Sequence, residues 1–395
     1  MDAVILAAGE GKRLRPFTET MSKVMLPVAN KPILAYIVDA LVKNAIDRII
    51  MVVGYKKEGI MEYFKDSTIP ITYVVQEKQL GTAHALLQAK KHITDTFIVL
   101  SGDNIICEED IRRLIQEESA YSLLIKDNPT PSKYGVVTIQ ENILIDIKEK
   151  PLLEEERRFI STGVYKFPLS IFEIITQQVS MGVNDITSIV EMLVEQGTKV
   201  SVINAELWND VVYPWDLIQL NEIMMHNSSN SSSNGIIEKG VTLKGSVHIG
   251  EDTKIYSGCY IVGPVVIGKG CEIGPNVCIF PSTAIGDHSV IYPFTEIRNS
   301  TIMSDVRIGS HSSINHSILG RGCVLGDSVS TMSVDAIIET EEGFKKLNTI
   351  GAMVGDDSII ENHTVLEAGI IIGRKCKIAA MKQISKNITS ESEVM

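Results

Sequence analysis

Residues 6–16 read Leu-Ala-Ala-Gly-Glu-Gly-Lys-Arg-Leu-Arg-Pro and follow the apolar run Ala3-Val4-Ile5. A turn punctuated by Gly9 and Gly11 lets backbone N–H groups come close to an anion, because glycine has no Cβ in the way. Arg13 and Arg15 add fixed positive charge in a fork geometry that suits phosphate. The chemistry implied is binding of a phosphorylated ligand, a nucleotide, at the carboxyl end of a first buried strand. The spacing is not that of Gly-x-x-x-x-Gly-Lys-Ser/Thr, and the third glycine of the dinucleotide fingerprint is missing. Two aspartates occupy comparable places. Asp103 ends Phe-Ile-Val-Leu-Ser-Gly-Asp, directly after an apolar strand, and Asp210 lies in Leu-Trp-Asn-Asp-Val-Val-Tyr-Pro-Trp.

The full string Gly-x-Gly-x-Arg-Leu-x-Pro, with Lys23 following in Ser-Lys-Val-Met-Leu-Pro-Val, resembles the sugar-1-phosphate nucleotidylyltransferases. That family includes glucose-1-phosphate thymidylyl- and uridylyltransferases, mannose-1-phosphate guanylyltransferases and N-acetylglucosamine-1-phosphate uridylyltransferases. The resemblance implies attack of a sugar-1-phosphate oxygen on the α-phosphorus of a nucleoside triphosphate, releasing pyrophosphate. Such transfers need in-line positioning, charge neutralisation and a divalent metal rather than covalent help. Mg²⁺ is a hard ion held by one or two carboxylates plus substrate oxygens.

By resemblance, Arg13 grips the triphosphate, Lys23 neutralises charge around the reacting phosphates, and Asp103 and Asp210 are the Mg²⁺ ligands. Leu6, Ala8, Gly9 and Gly11 border the nucleotide. Gln76, Gly81 and Thr82, from Gln-Glu-Lys-Gln-Leu-Gly-Thr-Ala-His, match the base-reading element; a glutamine offers both donor and acceptor to a pyrimidine edge. Gly81 and Thr82 start a helix whose amides could also be read by base or phosphate. Gly135, Glu149, Lys150 and Thr162 match the sugar-phosphate side, in Tyr-Gly-Val, Glu-Lys-Pro and Ser-Thr-Gly-Val-Tyr. Many relatives carry asparagine where Ser161 stands, and glycine where Val212 stands. His84 reads as a structural helix residue and Asp216 as a helix-start residue.

These residues need a scaffold. Strands are expected at 2–7, 48–53, 71–75, 96–101, 120–126, 134–139, 143–148 and 199–203. Amphipathic stretches fall at 31–44, 56–65, 81–92 and 108–118. The alternation predicts a mainly parallel sheet with helices on both faces and an antiparallel addition at 134–148. The run Asn-Ser-Ser-Asn-Ser-Ser-Ser-Asn from 227 to 234 can bury no apolar area, so 227–235 reads as a flexible linker ending a nucleotidyltransferase domain of residues 1–226.

Beyond it the chain is periodic. From Val241 to Thr295 a small residue recurs every sixth position, and Leu or Ile follows two residues later, from Leu243 to Ile297. This is hexapeptide stacking. The register slips before Val306/Ile308 and again before Cys323/Leu325, breaks over a charged loop at 331–349, and resumes at 352–378. The second domain is expected over 236–384, with a polar, frayed tail at 385–395. Cys259, Cys271, Cys323 and Cys376 fall on the small inward position, as buried hydrophobes rather than disulfides. The resemblance extends to the left-handed β-helix appended to many of these enzymes. The fold expected is α/β: a Rossmann-like nucleotidyltransferase domain followed by a left-handed parallel β-helix.

Two other functions share this plan. A bifunctional enzyme would also acetylate glucosamine-1-phosphate from acetyl-CoA in the coil, but Ser310 and Ser313 stand where its His-x-x-Tyr element would fall. A non-catalytic scaffold subunit of a translation-initiation exchange factor would tend to have lost the loop and carboxylates present here. The net charge of −12 argues against a nucleic-acid partner. The chain of 395 residues, 44% apolar and 22% charged, suits two domains. No apolar run of ~18 residues suggests a membrane span. The six cysteines lack Cys-x-x-Cys pairing, and no basic, apolar leader is visible, so a reduced cytoplasmic compartment is expected. Coils of this type commonly trimerise, so a homo-oligomer, trimer or higher, is expected.

Overall fold

The computed structural model describes residues 1–128, 131–149, 159–226, 231–341 and 343–395. The chain forms two compact units. The first comprises Met1–Glu10, Ser22–Met25 and Ile33–Asp210. The second comprises Gly11–Met21, Leu26–Pro32 and Val211–Met395.

The first unit is built on a nine-stranded sheet. Asp2–Ala7 lies at its centre, parallel to Arg48–Val53 on one side and Phe97–Ser101 on the other. Ile71–Val75 extends the parallel part beyond Arg48–Val53. Ala3, Val4, Ile5, Ile49–Val53 and Ile98–Leu100 have no solvent exposure. Their near-continuous hydrophobicity is what a strand covered on both faces requires. The helices Ile33–Lys43 and Glu108–Gln116 turn Leu34, Ile37, Leu41, Ile111 and Leu114 into one core layer. Thr82–Gln88, Ile171–Ser180 and Ile186–Glu195 cover the other face with Ala83, Leu86, Phe172, Ile175 and Ile189.

The expected strands and helices appear within a few residues of their predicted bounds. Of the nine strands of this sheet, one was not expected. Phe159–Phe167 runs antiparallel to both Phe97–Ser101 and Ser122–Asp127, joining the parallel half of the sheet to the rest. Its alternation is interrupted at Ser161-Thr162-Gly163, where the pairing register shifts and Gly163 takes φ +76°. A kinked strand carries a weak period-2 signal.

The second unit is a three-faced coil of parallel strands, with faces of eight, nine and eight strands. Equivalent positions stand 18 residues apart, as Val247 against Val265. The two register slips have a simple origin. The turns from Ile297 to Thr301 and from Ile314 to Ile318 are each one residue short, so Ile302 lies opposite Ile285 and Leu319 opposite Ile302. Both short turns fall at the same corner, one coil apart, so the stack stays aligned. The third interruption falls there too: the predicted loop at 331–349 is an antiparallel hairpin, Val334–Thr340 against Gly343–Ile350.

The inward small position has a chemical explanation as well as a steric one. Cys259, Cys271 and Cys323 point their thiols at the carbonyls of Gly274, Gly286 and Gly355, at 2.9, 3.2 and 3.1 Å. Thr253 and Ser358 donate hydroxyls to Gly268 and Gly373 in the same way, at 2.6 and 2.9 Å. A short donor at this position satisfies a corner carbonyl that the strand ladder leaves over. The four predicted cysteines are free and no more than 1% exposed, as expected.

The predicted domain limits need correction. Residues 227–230 of the expected linker lie outside the described residues, but Ser232–Ser233 already form the first rung, paired with His248–Ile249. The helix Asp216–His226 belongs with the coil, against Thr283–Ile285 and Thr301–Ile302. The tail is no fray: Glu393–Val394 adds a last rung opposite Lys377–Ile378. Rung pairing is made by backbone groups, so serine- and asparagine-rich segments join it without contributing apolar area. Among the described residues, no helix is long and apolar enough to cross a membrane.

Candidate active site

Asp103 follows the carboxyl end of Phe97–Ser101, beside the end of Asp2–Ala7, where open α/β sheets bind ligands. Gly102 makes this possible, because a Cβ there would stand 3.0 Å from the Leu6 carbonyl oxygen. The Asp103 carboxylate accepts the Ser101 hydroxyl at 2.6 Å and forms an ion pair with Lys23 Nζ. Burial alone would push this carboxyl up, but the Lys23 ammonium and the Ser101 hydroxyl outweigh it and hold the group below its ordinary range. Lys23 sits on a short 3-10 turn, Lys23–Met25. Its side chain is 17% exposed and that of Asp103 25%, so the pair is partly screened from water yet open on one side.

Asp210 reaches the same sheet end by a second route. Trp208–Asp210 pairs antiparallel with Asn104–Ile106, which sets Asp210 opposite Asn104, the neighbour of Asp103. Two short strands thus bring residues 103 and 210 near one another from distant parts of the sequence. Asp210 accepts a hydrogen bond from the Tyr134 hydroxyl at 2.9 Å, and the Tyr134 ring stands edge-on to Trp208 at 5.3 Å. Asp216 is not part of this pair. Its carboxylate accepts the Val212 and Tyr213 amides at 2.9 and 2.8 Å, closing the turn that leads into the helix it begins.

The residues expected to read the base, Gln76, Gly81 and Thr82, lie close together. Gln76 is buried; its amide reaches the Gly81 carbonyl at 3.2 Å and His84 Nδ1 at 2.9 Å. His84 is also next to the Gln88 amide, so it is a structural residue. Gly81 is required: φ is +147°, and a Cβ would stand 2.3 Å from the Asn184 carbonyl oxygen. That same oxygen accepts the Ala83 amide at 2.8 Å and the His84 amide at 3.4 Å. Of the amides at this helix start, those of Ala83 and His84 are therefore taken within the protein. The Thr82 hydroxyl accepts the Ile186 amide at 3.0 Å.

Ala8 is buried, and its carbonyl accepts the Tyr55 amide at 3.2 Å and the Gln79 side-chain amide at 2.7 Å. Leu6 lies in the central strand, and Gly9 is exposed with nothing within 4 Å of a Cβ position. Arg13 falls in the other compact unit, on the 3-10 turn Lys12–Leu14, with Glu341 at 3.9 Å.

Of the residues expected on the sugar side, Gly135 and Glu149 face each other across the strands Gly135–Gln140 and Ile143–Glu149. A Cβ on Gly135 would stand 3.0 Å from Thr187 Cγ2 and 3.4 Å from Glu149 Oε2. Lys150 lies outside the described residues. Thr162 needs correction. It is 2% exposed, its hydroxyl donates to the Leu124 carbonyl at 2.7 Å, and its own carbonyl accepts the Asn104 and Trp208 side chains at 2.8 and 3.1 Å. It ties the two ends of the site together from beneath. Sequence reasoning missed Ser101 and Tyr134, which hold the two carboxylates. Their only signal was adjacency to Asp103 and Gly135.

Residues 2–227 match the model of the nucleotidyl transferase family, and residues 261–394 match a GMPPB C-terminal domain. The chain is 36% identical over 404 residues to the bifunctional protein GlmU of Methanococcus maripaludis, covering 100% of this chain and 97% of that one. It is 36% identical over 227 residues to the UTP–glucose-1-phosphate uridylyltransferase AglF of Haloferax volcanii, covering 55% and 93% of the two chains. Among solved structures, a Bacillus anthracis protein assigned as a glucose-1-phosphate thymidylyltransferase, crystallised with sucrose, is 26% identical. It aligns with a TM-score of 0.52 over 56% of this chain and 94% of that one. With a glycine–arginine loop, a Lys23–Asp103 pair at the sheet end and a stacked coil behind them in sequence, the chain belongs to the nucleotidyl transferase family.

Proposed function

We propose that the protein transfers a nucleotidyl group from UTP or dTTP to glucose-1-phosphate or N-acetylglucosamine-1-phosphate, giving an NDP-sugar and pyrophosphate. The observation that carries this reading is the short ladder that sets Asp210 opposite Asn104, beside the Lys23–Asp103 pair. Two carboxylates form a hard-oxygen donor set that fits Mg²⁺, which takes its remaining ligands from water and substrate phosphates. Asp103 and Asp210 would hold that ion, and it would neutralise charge on the reacting phosphates. Lys23 supplies a further cation at the same place. Arg13 engages the triphosphate, and Gly135 and Glu149 frame the sugar, whose hydroxyls a carboxylate can accept. The names of the Haloferax and Bacillus relatives support a pyrimidine nucleotide and glucose-1-phosphate. The coil supports assembly of several copies, to be measured by light scattering.

A substrate matrix tests the reading: four nucleoside triphosphates against a panel of sugar-1-phosphates, with and without Mg²⁺, read by pyrophosphate release. Release with UTP or dTTP that depends on the divalent ion is expected. Release with no pair, or release undiminished by a chelator, overturns it.

A second reading, that the coil also acetylates glucosamine-1-phosphate from acetyl-CoA, is favoured by the whole-chain match to a relative named as bifunctional. Ser310 and Ser313 weigh against it. A direct acetyl-CoA assay separates the two.

A further inference from the structure

The loop that carries Arg13 and Arg15 closes partly on itself and partly on the coil. Its first half closes on itself, with the Leu14 amide and the Thr18 hydroxyl both donating to the Gly11 carbonyl, at 2.9 and 2.8 Å. Its second half has a local turn, with the Glu19 amide on the Pro16 carbonyl at 3.1 Å, and is also gripped by side chains more than 330 positions further along the chain. Glu19 forms an ion pair with Arg374 at 3.2 Å and accepts the Ser390 hydroxyl at 3.0 and 3.2 Å. The Thr20 hydroxyl donates to Asp356. Asp356 is 3% exposed and aimed in advance, because its other oxygen accepts the Arg321 amide at 2.9 Å. Pro16 comes so close to the coil that a Cβ on Gly355 would stand 2.8 Å from its own Cβ. The grip therefore has three parts from three successive turns of chain: Gly355-Asp356, Arg374 and Ser390.

The groups are chosen for geometry rather than for bulk stability. A partly exposed ion pair contributes little to folding stability. A guanidinium fork and a buried carboxylate acting on neighbouring residues, Glu19 and Thr20, fix an angle as well as a position. Arg13 lies only six residues before Glu19. We propose that Asp356, Arg374 and Ser390 are positioning residues for nucleotidyl transfer, setting the loop that presents Arg13 to the triphosphate by holding Glu19 and Thr20. The proposal rests on the reading of Arg13 given above. It assigns the last coils a part in nucleotide affinity, exerted through the loop without touching substrate.

The test uses the full-length protein and steady-state kinetics with UTP or dTTP, whichever the substrate matrix returns. Glu19→Ala and Arg374→Ala should each raise KM for the triphosphate about fivefold or more, with smaller changes in kcat and in KM for the sugar phosphate. Because the two act as one pair, the double variant should be no worse than the more affected single one. Glu391→Ala removes the other carboxylate that Arg374 holds, at 2.8 Å, and should leave KM within about twofold. Singles that stay within about twofold of the parent, rises that multiply in the double variant, or an equal rise in Glu391→Ala each overturn the proposal. If a variant melts early, Thr20→Val and Ser390→Ala carry the same readout with the Glu19–Arg374 ion pair kept, and an unchanged KM in both overturns it. Arg13→Ala, run alongside, separates the two readings. An unchanged KM there removes the nucleotide role of the loop and this inference with it. A raised KM there with inert Glu19 and Arg374 variants removes this inference alone.

Discussion

The two charged regions of this protein are built in opposite ways. Asp103 and Asp210 are placed by backbone: one follows the end of a central strand, and the other is set opposite Asn104 by a three-residue ladder. The loop bearing Arg13 is placed by side chains, through Glu19 on Arg374 and Thr20 on Asp356. Backbone ladders are cooperative and fixed by register, so a single substitution rarely moves the residues they carry. Side-chain grips can be altered one group at a time. On the proposed reading, chemistry belongs to the ladder-held part and affinity to the side-chain-held one.

The sharpest way to break that contrast is at the rigid part. Asp103→Ala should lower turnover by roughly a thousandfold or more, because it removes a carboxylate proposed to hold the metal ion while leaving the ladder's backbone bonds in place. The coil should keep its melting transition. Pyrophosphate release and a thermal scan on the same preparation check both parts, and full activity would reject the assignment.

Lys23→Ala should come next, at about a hundredfold, and it has a distinct signature in pH. The Asp103 carboxyl is held below its ordinary value of 3.8, with burial raising it and the Lys23 ammonium and Ser101 hydroxyl lowering it by more. A depressed folded value means that the charge contributes stability above the unfolded value, and that this contribution is lost as pH falls through the folded one. Removing Lys23 leaves burial as the main influence, so the Asp103 value should rise. The acid limb of the rate profile should move to higher pH in Lys23→Ala than in the parent. An unmoved limb would show that Lys23 does not govern the carboxylate.

The sequence made the strand-end carboxylate and the glycine–arginine loop legible and hid the side-chain contacts that hold the loop, for physical reasons. Asp103 is visible because an apolar strand followed by Ser-Gly-Asp puts a carboxylate at a sheet end wherever it occurs. The coil is visible because each six-residue side must repeat a small inward group and a core aliphatic, Val265 with Ile267 or Cys271 with Ile273. Contacts such as Thr20 with Asp356 leave no periodic trace, since a surface threonine and an aspartate after a corner glycine are common everywhere. The same holds for Thr162, whose motif suggests a ligand-facing hydroxyl until the Leu124 carbonyl is seen to accept it. The strand Phe159–Phe167 was hidden by its own kink at Gly163.

Gly81 lies between the two classes, since local backbone geometry there depends on a carbonyl over a hundred residues away. Gly81→Ala should destabilise the first unit by about 1–3 kcal/mol, because φ is +147° and the new Cβ would meet the Asn184 oxygen at 2.3 Å. A lowered melting temperature with binding of the base impaired in proportion is the expected outcome. If stability were unchanged, the Asn184 carbonyl would not be fixed where it accepts the Ala83 amide, and the helix start would count as adjustable.

The smallest effect should come from Tyr134→Phe. It removes one hydroxyl, the donor to Asp210 at 2.9 Å, and keeps the ring that stands edge-on to Trp208. A single hydrogen bond to a charged group is worth about 1.5–3 kcal/mol at most, and the ladder still holds the Asp210 backbone opposite Asn104. A loss of roughly three- to tenfold in kcat/KM is therefore expected, with the concentration of Mg²⁺ needed for half-maximal rate rising in step. If the loss approached that of Asp103→Ala, the hydroxyl rather than the ladder would be what places Asp210, and the carboxylate pair would belong with the loop among the side-chain-held parts of the molecule.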